Sequence, residues 1–231
     1  IAKQLSTTGS RYQLGGTDAV HRQTTDAAFC DQAGNAGPHC WRDNFASDPL
    51  VWDFYRNALQ QPDQLRQRVA YALQQIVVIS GREVFGTYGL RNYHNRLLDL
   101  AFGNYREVLR AVALSPVMGD YLNNVNNHRK APNENFAREL LQLFSIGSCE
   151  LTTEGLPSGG TCRATYNNET VRAYAYALTG WTYPSGGTSP WGCWPRGTQC
   201  RYYGGDMQPL AAFHDTQARS LLSGVGVRGA A

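Results

Sequence analysis

The spacing of apolar residues in the middle of the chain predicts a series of α-helices. In the clearest case, six apolar residues recur every three or four positions, as one face of a helix requires. They are Leu65, Val69, Ala72, Leu73, Ile76 and Val77. Asp63 is placed to cap the start of this helix, and Gly81 to follow its end. The pattern therefore predicts a helix that buries this face.

Five further helices are predicted, most of them with a recognisable start or stop. They cover 90–102, 104–114, a short stretch from 116, 133–146 and 169–178. Asn104 starts one of them, with Glu107 as a capping-box partner, and Ser115-Pro116 starts the short one. The strongest element is 133–146, whose apolar stripe consists of Phe136, Leu140, Leu143 and Phe144 and which Gly147 ends. With little sign of strands, the fold class is predicted to be mainly α.

Changes in residue composition and periodicity divide the chain into three parts. Residues 1–47 are polar and irregular and are predicted to pack on the domain as an N-terminal segment. Residues 48–181 form the helical core, and residues 182–231 are rich in Gly and aromatic side chains. The predicted architecture is a helical domain with a long, disulfide-bearing, loop-rich C-terminal region.

Six cysteines indicate the compartment. They are Cys30, Cys40, Cys149, Cys162, Cys193 and Cys200. Pairing by proximity predicts the bridges 30–40, 149–162 and 193–200, although six cysteines allow many other connectivities. Six reduced thiols in a cytosolic protein are the alternative, but loops rich in Gly, Asn, Pro or Thr are poor places to bury thiols. An oxidising compartment, and so a secreted or periplasmic location, is the better interpretation.

Composition argues against a disordered chain, a membrane-spanning protein and a nucleic-acid-binding protein. Of the 231 residues, 42% are hydrophobic, which is enough for a substantial core. No apolar run approaches the roughly 18 residues that a membrane-spanning helix needs. The net charge is +3, and the arginines are dispersed rather than arranged in a basic stripe, so nucleic acid is not an expected partner.

The familiar catalytic and cofactor motifs are missing from the sequence. It has neither the Gly-x-Ser-x-Gly nucleophile elbow nor a phosphate-binding Gly-x4-Gly-Lys-Ser/Thr loop. No two of the five histidines have the i, i+4 spacing of a helical zinc pair. No cofactor and no metal site are therefore predicted, although distant segments could still assemble one.

The candidate catalytic residues are Glu134, Glu139, His214 and Asp215. Glu134 and Glu139 are five positions apart and diverge on a helix, so they do not form a ready-made acid–base pair. Glu134 and Arg138 have the i, i+4 spacing of a surface ion pair. The alternative places Arg138 or Glu139 inward, where either side chain holds a loop or a ligand. His214-Asp215 is either a structural hydrogen-bonded pair or an acid–base pair.

The candidate ligand-binding residues are amides, cations and aromatic rings. They are Arg138, Asn135, His128, Trp181, Trp191 and Trp194. The stretch 123–135 holds six asparagines beside His128 and two other basic residues, which either present donors to a polar ligand or form left-handed turns. The aromatic residues of 182–209 either offer flat faces to a sugar ring or fill a small satellite core.

Several stretches together resemble the domain of unknown function 1800 family. These stretches are DQLRQRVAYAL at 63–73, YHNRLL at 93–98, FGNYR at 102–106, LSPVM at 114–118, PNENFARELL at 132–141, FSIG at 144–147, ALTGW at 177–181, FHD at 213–215 and LL at 221–222. They occur in the family's order, and the NENFARE helix is the most specific of them. One departure is Asn133, where the family often has Asp.

The resemblance implies a predominantly helical, exported bacterial protein without an established reaction. Family members usually continue with a further helical half, so the chain is expected to correspond to their N-terminal and central portion. The family pattern singles out Glu134, Arg138, Glu139, Trp181, His214 and Asp215.

The leading functional hypothesis is an exported protein that binds a polar extracellular ligand, such as a polysaccharide, or a partner protein of the envelope. The alternative hypothesis is a secreted hydrolase that uses its carboxylate and histidine candidates as acid–base groups. A cluster of these groups around an open pocket would favour the hydrolase.

Overall fold

A computed structural model of the chain describes residues 2–13, 28–84, 87–184, 201–222 and 226–227. The chain forms two compact units. Unit 1 comprises Ile1–Tyr121 and Tyr183–Met207, and unit 2 comprises Leu122–Thr182 and Gln208–Ala231. Each unit is therefore built from two separate stretches of sequence.

The described part of unit 1 is helical. Its helices are α1 (Ala2–Ser6), α2 (Cys40–Asn44), α3 (Asp48–Gln60), α4 (Gln64–Ile76), α5 (Thr87–Leu100), α6 (Tyr105–Leu114) and α7 (Pro116–Tyr121). Seven of the largest side chains in its core are Tyr88, Leu97, Leu98, Val108, Val112, Val117 and Met118, each at most 2% exposed. The core therefore lies mainly among α5, α6 and α7, and the prediction of a mainly helical fold is confirmed.

The predicted start of α6 is confirmed, whereas the predicted start and end of α4 need correction. The Asn104 side chain accepts the N–H of Arg106 at 2.8 Å and so caps α6. Asp63 does occupy the position before α4, but its carboxylate makes no cap there. It accepts the N–H of Ser10 at 2.7 Å instead. The helix also ends at Ile76, well before Gly81.

The buried face of α4 differs from the predicted one. Ala70 is the buried residue of this helix, whereas Ala72 and Ile76 are exposed. Val77, just beyond the helix, is fully buried. The reason is polar packing: Arg66 and Gln67 on α4 donate to backbone carbonyls of residues 7 and 10, so polar positions share the inward face.

Side chains of the helices, rather than another strand, hold the N-terminal segment 10–13. The N–H of residue 10 donates to the Asp63 side chain at 2.7 Å. The N–H of residue 12 donates to the Asn95 side chain at 2.8 Å, and that of residue 13 to the Asp53 side chain at 2.6 Å. Asn95 also donates to the carbonyl of Tyr12 at 3.0 Å. These acceptors are buried, so the segment satisfies polar groups that would otherwise destabilise the helix interior.

Unit 2 contains two α-helices and two short antiparallel strand pairs in its described residues. They are α8 (Asn135–Gln142), α9 (Asn168–Ala177), β1 (Trp181–Thr182) with β2 (Gln208–Pro209), and β3 (Arg219–Ser220) with β4 (Gly226–Val227). The two helices pack through a small apolar core made by Ala137 and Leu141 of α8 and Val171 and Ala175 of α9. This pairing fixes α8, which carries several of the candidate residues.

Helix α8 is shorter than the predicted 133–146. After Gln142 the chain turns: the N–H of Phe144 donates to the carbonyl of Glu139, and that of Gly147 to the carbonyl of Leu141. Gly147 has a φ of +74°, as a helix-ending glycine requires. Because the helical spacing stops at Gln142, Leu143 points outward and is 57% exposed, while Phe144 is buried.

Two of the three predicted disulfides are confirmed. Cys30 bonds to Cys40 and Cys149 bonds to Cys162, with Cα–Cα distances of 5.7 and 5.1 Å. The predicted bridge between Cys193 and Cys200 lies outside the described residues. Within the described ranges, every helix is too short or too polar to traverse a lipid bilayer.

Candidate functional site

The Asn-rich loop before α8 is held by one of its own side chains. The Asn127 amide donates to the carbonyl of Asn133 at 3.1 Å and accepts the N–H of Asn133 at 2.8 Å. The backbone carbonyl of Asn127 accepts the N–H of Gly180 at 2.8 Å. Asn123 and Asn126 have φ values of +59° and +56°. These two residues therefore form the left-handed turns that the sequence suggested.

Gly180 fixes the position of His214. The imidazole Nδ1 of His214 lies 2.7 Å from the carbonyl oxygen of Thr179, so Nδ1 carries a proton and donates. Gly180 has a φ of +87°, and a Cβ there would lie 2.8 Å from both the backbone nitrogen and Cβ of His214. The TGW turn is thus built for close approach of two backbone segments.

Gly180→Ala is expected to lower the free energy of unfolding by about 2 kcal/mol, because a positive φ and a backbone clash add up. Chemical denaturation followed by circular dichroism measures the change. Gly155→Ala is the matched control: Gly155 has a φ of +78° but nothing within 4 Å of a built Cβ. An equal loss in both variants would show that the approach of His214 contributes nothing.

Asp215 is a buried carboxylate with a fixed partner. It is 7% exposed, and its backbone N–H donates to the Thr179 hydroxyl at 2.9 Å. Nε of Arg219 donates to Oδ2 of Asp215 at 2.7 Å, and this hydrogen bond raises the pKa of Arg219 above its usual value. The Arg219 guanidinium also lies over the ring of Tyr176, 3.8 Å from its centroid. Both side chains are therefore held in place before any ligand arrives.

A polar cleft of about 290 Å³ opens beside this pair, and we call it the Arg129–Arg219 cleft. Its lining consists of Arg129, Tyr176, Asp215, Thr216, Gln217 and Arg219. The backbone N–H of Arg129 donates to the carbonyl of Phe213 at 3.1 Å, which anchors the residue. Its guanidinium makes one long contact, 3.4 Å, to the carbonyl of His214. The cleft thus presents two guanidinium groups against one carboxylate.

Glu134 and Arg138 form the predicted helix-surface pair. Nη2 of Arg138 lies 3.1 Å from Oε2 of Glu134, and each side chain is 40% exposed. Exposed pairs with this spacing contribute about 0.3–0.5 kcal/mol. Neither residue lines the Arg129–Arg219 cleft.

Glu139 lies on α8 with one carboxylate oxygen shielded from solvent. Its Oε2 is buried and has no hydrogen-bond partner among the described residues. Asn124 is 1% exposed, and both its side-chain nitrogen and its side-chain oxygen are buried without a hydrogen-bond partner among the described residues. Buried polar atoms without partners are uncommon in folded proteins and mark places where an ordered water or ion can bind.

The sequence model of a family described as protein of unknown function (DUF1800) matches residues 2–230. The chain belongs to this family. No curated protein and no solved structure shows significant similarity to it.

The remaining described ligand-binding candidates of this DUF1800 chain make contacts that hold its loops and its strand β1. The Asn135 amide donates to Oδ1 of Asn123 at 3.0 Å. Nδ1 of His128 accepts the N–H of Lys130 at 2.9 Å, and its ring meets that of Phe213 edge-on. Trp181 lies in β1, where its carbonyl accepts the N–H of Asn126 at 2.7 Å. Trp191 and Trp194 lie outside the described residues.

Of the four catalytic candidates, Asp215 alone lines the Arg129–Arg219 cleft. In the part of the DUF1800 chain that the structure describes, no three His, Cys, Asp or Glu side chains are arranged to hold a metal ion.

The sequence patterns did not predict Arg129, Tyr176 or Arg219 as site residues. The two arginines give the cleft its positive charges, and Tyr176 gives it an aromatic ring. Arg129 was visible only as part of the basic triplet 128–130. Asp215 and Arg219 have the spacing of a helical ion pair but lie in a stretch without helical periodicity. No pattern in the sequence brings Tyr176 of α9 next to them.

Proposed function

We propose that this DUF1800 protein binds an acidic, hydroxyl-rich extracellular ligand, an acidic polysaccharide, in the Arg129–Arg219 cleft. The observation that carries the proposal is the guanidinium of Arg129, which has no carboxylate partner among the described residues although it lies beside a paired Asp215 and Arg219. A cation without a counter-ion in a concave polar site favours an anion.

The chemistry of the lining suits a carboxylated sugar. Arg129 can bind a carboxylate in the two-pronged geometry that a guanidinium favours. Asp215, Gln217 and Thr216 offer acceptors and donors for ring hydroxyls. Because Arg219 already pairs with Asp215, the positive charge of the described cleft that lacks a counter-ion is that of Arg129.

The cysteine pairs support the same location for protein and ligand. Two disulfides within 231 residues are typical of proteins outside the reducing cytoplasm. We therefore infer a secreted or periplasmic protein.

The hydrolase alternative has less support. A glycoside hydrolase needs two carboxyl groups facing one another across a bond. The cleft holds only Asp215 among the described residues, and Glu134 and Glu139 lie elsewhere in unit 2. Acid–base chemistry stays a prediction, whereas binding needs only the groups that the cleft presents.

The test is calorimetric titration of the full chain with an oligogalacturonate, using maltooligosaccharides of equal length as the neutral comparison. Arg129→Gln is expected to weaken binding of the acidic oligosaccharide by about tenfold or more, the loss of one charged hydrogen-bonding group. Arg163→Gln is the matched control, because Arg163 also belongs to unit 2, is 77% exposed and faces Glu150 at 3.5 Å.

Arg163→Gln should change the affinity by less than about twofold, since an exposed paired arginine contributes little specific binding. An equal loss in both variants would mean that binding follows net charge alone. Equal binding of the neutral oligosaccharide, or no binding of the acidic one, would overturn the proposal.

A further inference from the structure

We propose that unit 1 carries a binding site of its own, in a cavity beside α3, for a small uncharged molecule with an aromatic ring and one hydrogen-bonding oxygen, as in a phenol. The cavity measures about 370 Å³ and is formed by residues of the N-terminal segment, α3, α4 and α5 with the turn between the last two helices. Cavities of this size are in the range that holds small organic ligands.

Most of the cavity wall is apolar. Six of its lining residues are Leu50, Val51, Phe54, Tyr55, Ile79 and Leu90. Val51 and Tyr55 are 45% and 58% exposed, so apolar surface faces solvent at the rim. The rings of Phe54 and Tyr55 meet edge-on at 5.4 Å, which gives one wall flat aromatic surfaces for an aromatic guest.

Four polar side chains interrupt this wall: Tyr12, Ser47, Gln74 and His94. The rings of Tyr12 and His94 pack edge-on with centroids 5.3 Å apart. Nδ1 of His94 is buried and has no hydrogen-bond partner among the described residues, whereas the Gln74 side chain hydrogen-bonds to the Tyr12 hydroxyl. An apolar cavity that leaves such a nitrogen unsatisfied is poorly explained by packing alone, because the atom costs free energy without a partner.

His94 acts as an uncharged acceptor. A neutral imidazole carries one proton, and on the shielded Nδ1 that proton would be an unsatisfied donor, so we place it on Nε2 and leave Nδ1 as the acceptor. Burial lowers the pKa of His94 to about 4, which keeps the ring neutral at pH 7.

Charge decides the class of guest. No Asp, Glu, Lys or Arg lines the cavity within the described ranges. The nearby negative charge of Asp53 contributes to raising the pKa of Tyr12, after the larger effect of burial. A carboxylate guest would therefore lose its water without gaining a cation, whereas a hydroxyl group can donate its proton to Nδ1 of His94.

The test compares three probes with the same ring: p-cresol, toluene and 4-methylbenzoate. Binding to the full chain is followed by protein-detected NMR titration. We expect p-cresol to bind about tenfold more tightly than toluene, the value of one satisfied hydrogen bond, and 4-methylbenzoate to bind most weakly. Absence of p-cresol binding at millimolar concentration would mean that only water fills the cavity, and the proposal would be wrong.

Two further variants locate the site. Val51→Trp fills the cavity from its exposed rim and should abolish p-cresol binding. Leu59→Trp adds the same ring on the same helix at a position that is 78% exposed and outside the cavity lining, so it should leave binding unchanged. Equal p-cresol affinity in the two variants would place the probe elsewhere.

His94→Phe tests recognition of the oxygen separately from folding. It removes a buried nitrogen without a partner, so we expect unchanged or higher stability. The preference for p-cresol over toluene should fall from about tenfold to about twofold or less, as the acceptor for the p-cresol hydroxyl is lost. An undiminished preference would exclude His94 from the site.

Discussion

Replacing Asp120 with alanine is expected to lower the free energy of unfolding by about 4 kcal/mol, the loss typical of breaking a buried hydrogen-bonded charge cluster. Asp120 is 6% exposed. Its two carboxylate oxygens accept the hydroxyl groups of Tyr183 and Tyr203 at 2.6 Å each, and Nε of Arg201 lies 3.6 Å from Oδ2. Burial, followed by the charge of Asp120, raises the pKa of Tyr203, so its hydroxyl remains a donor.

The measurement is urea unfolding followed by circular dichroism, with hydrogen exchange at the amides of α7 to place the effect. Asp120→Asn keeps an acceptor and should lose about half as much. Asp99→Ala is the control, because Asp99 also pairs with an arginine, Arg11, but is 43% exposed. Its loss should stay below about 1 kcal/mol. Similar losses for Asp99→Ala and Asp120→Ala would contradict the role assigned to burial.

Lowering the pH from about 6.5 to about 4 is expected to cost up to about 3 kcal/mol of stability through His94 alone. Burial lowers the pKa of His94 to about 4 in the folded protein. In the unfolded chain the histidine titrates at its ordinary value, which is higher. Between these two values the unfolded state binds more protons, so the contribution is present above the unfolded pKa and is lost as the pH falls.

The variant His94→Phe isolates this effect from the carboxylates that titrate in the same range. The free energy of unfolding is measured across this pH range for the wild type and the variant. We expect the wild type to lose up to about 3 kcal/mol more than the variant. His39→Phe, which replaces an exposed histidine, should keep the wild-type pH dependence. Identical pH profiles for the wild type and His94→Phe would exclude the assignment.

The sequence predicted those helices whose ends depend on local chemistry. Asn104 caps α6 because its side chain needs only its own backbone, and Pro116 begins α7 because its ring suits a first helical position. Long-range contacts decided the rest. Asp63 occupies the capping position of α4, but its carboxylate accepts the N–H of Ser10, 53 residues earlier, instead of a helix N–H. Periodicity within α4 could not reveal that a distant segment would pack against polar residues of this helix and bring them to its inward face.

The candidate site shows the same division. The ion pair of Glu134 and Arg138 follows from helical spacing, and the structure contains it. The Arg129–Arg219 cleft combines residues from three separate stretches, brought together by backbone contacts such as that between residues 129 and 213. Asp215 was selected for its neighbour His214, yet its partner is Arg219. Contacts between loops have no periodic signature, so a single sequence cannot predict them.

The Asp120 cluster also sets an order of events during synthesis. Tyr183 and Tyr203 follow Asp120 by 63 and 83 residues. While residues 122–182 of unit 2 are being synthesised, the Asp120 carboxylate of α7 therefore has neither of its tyrosine partners. Unit 1 is complete only when the second of its two stretches has been made, so residues 1–121 cannot form the finished unit before then.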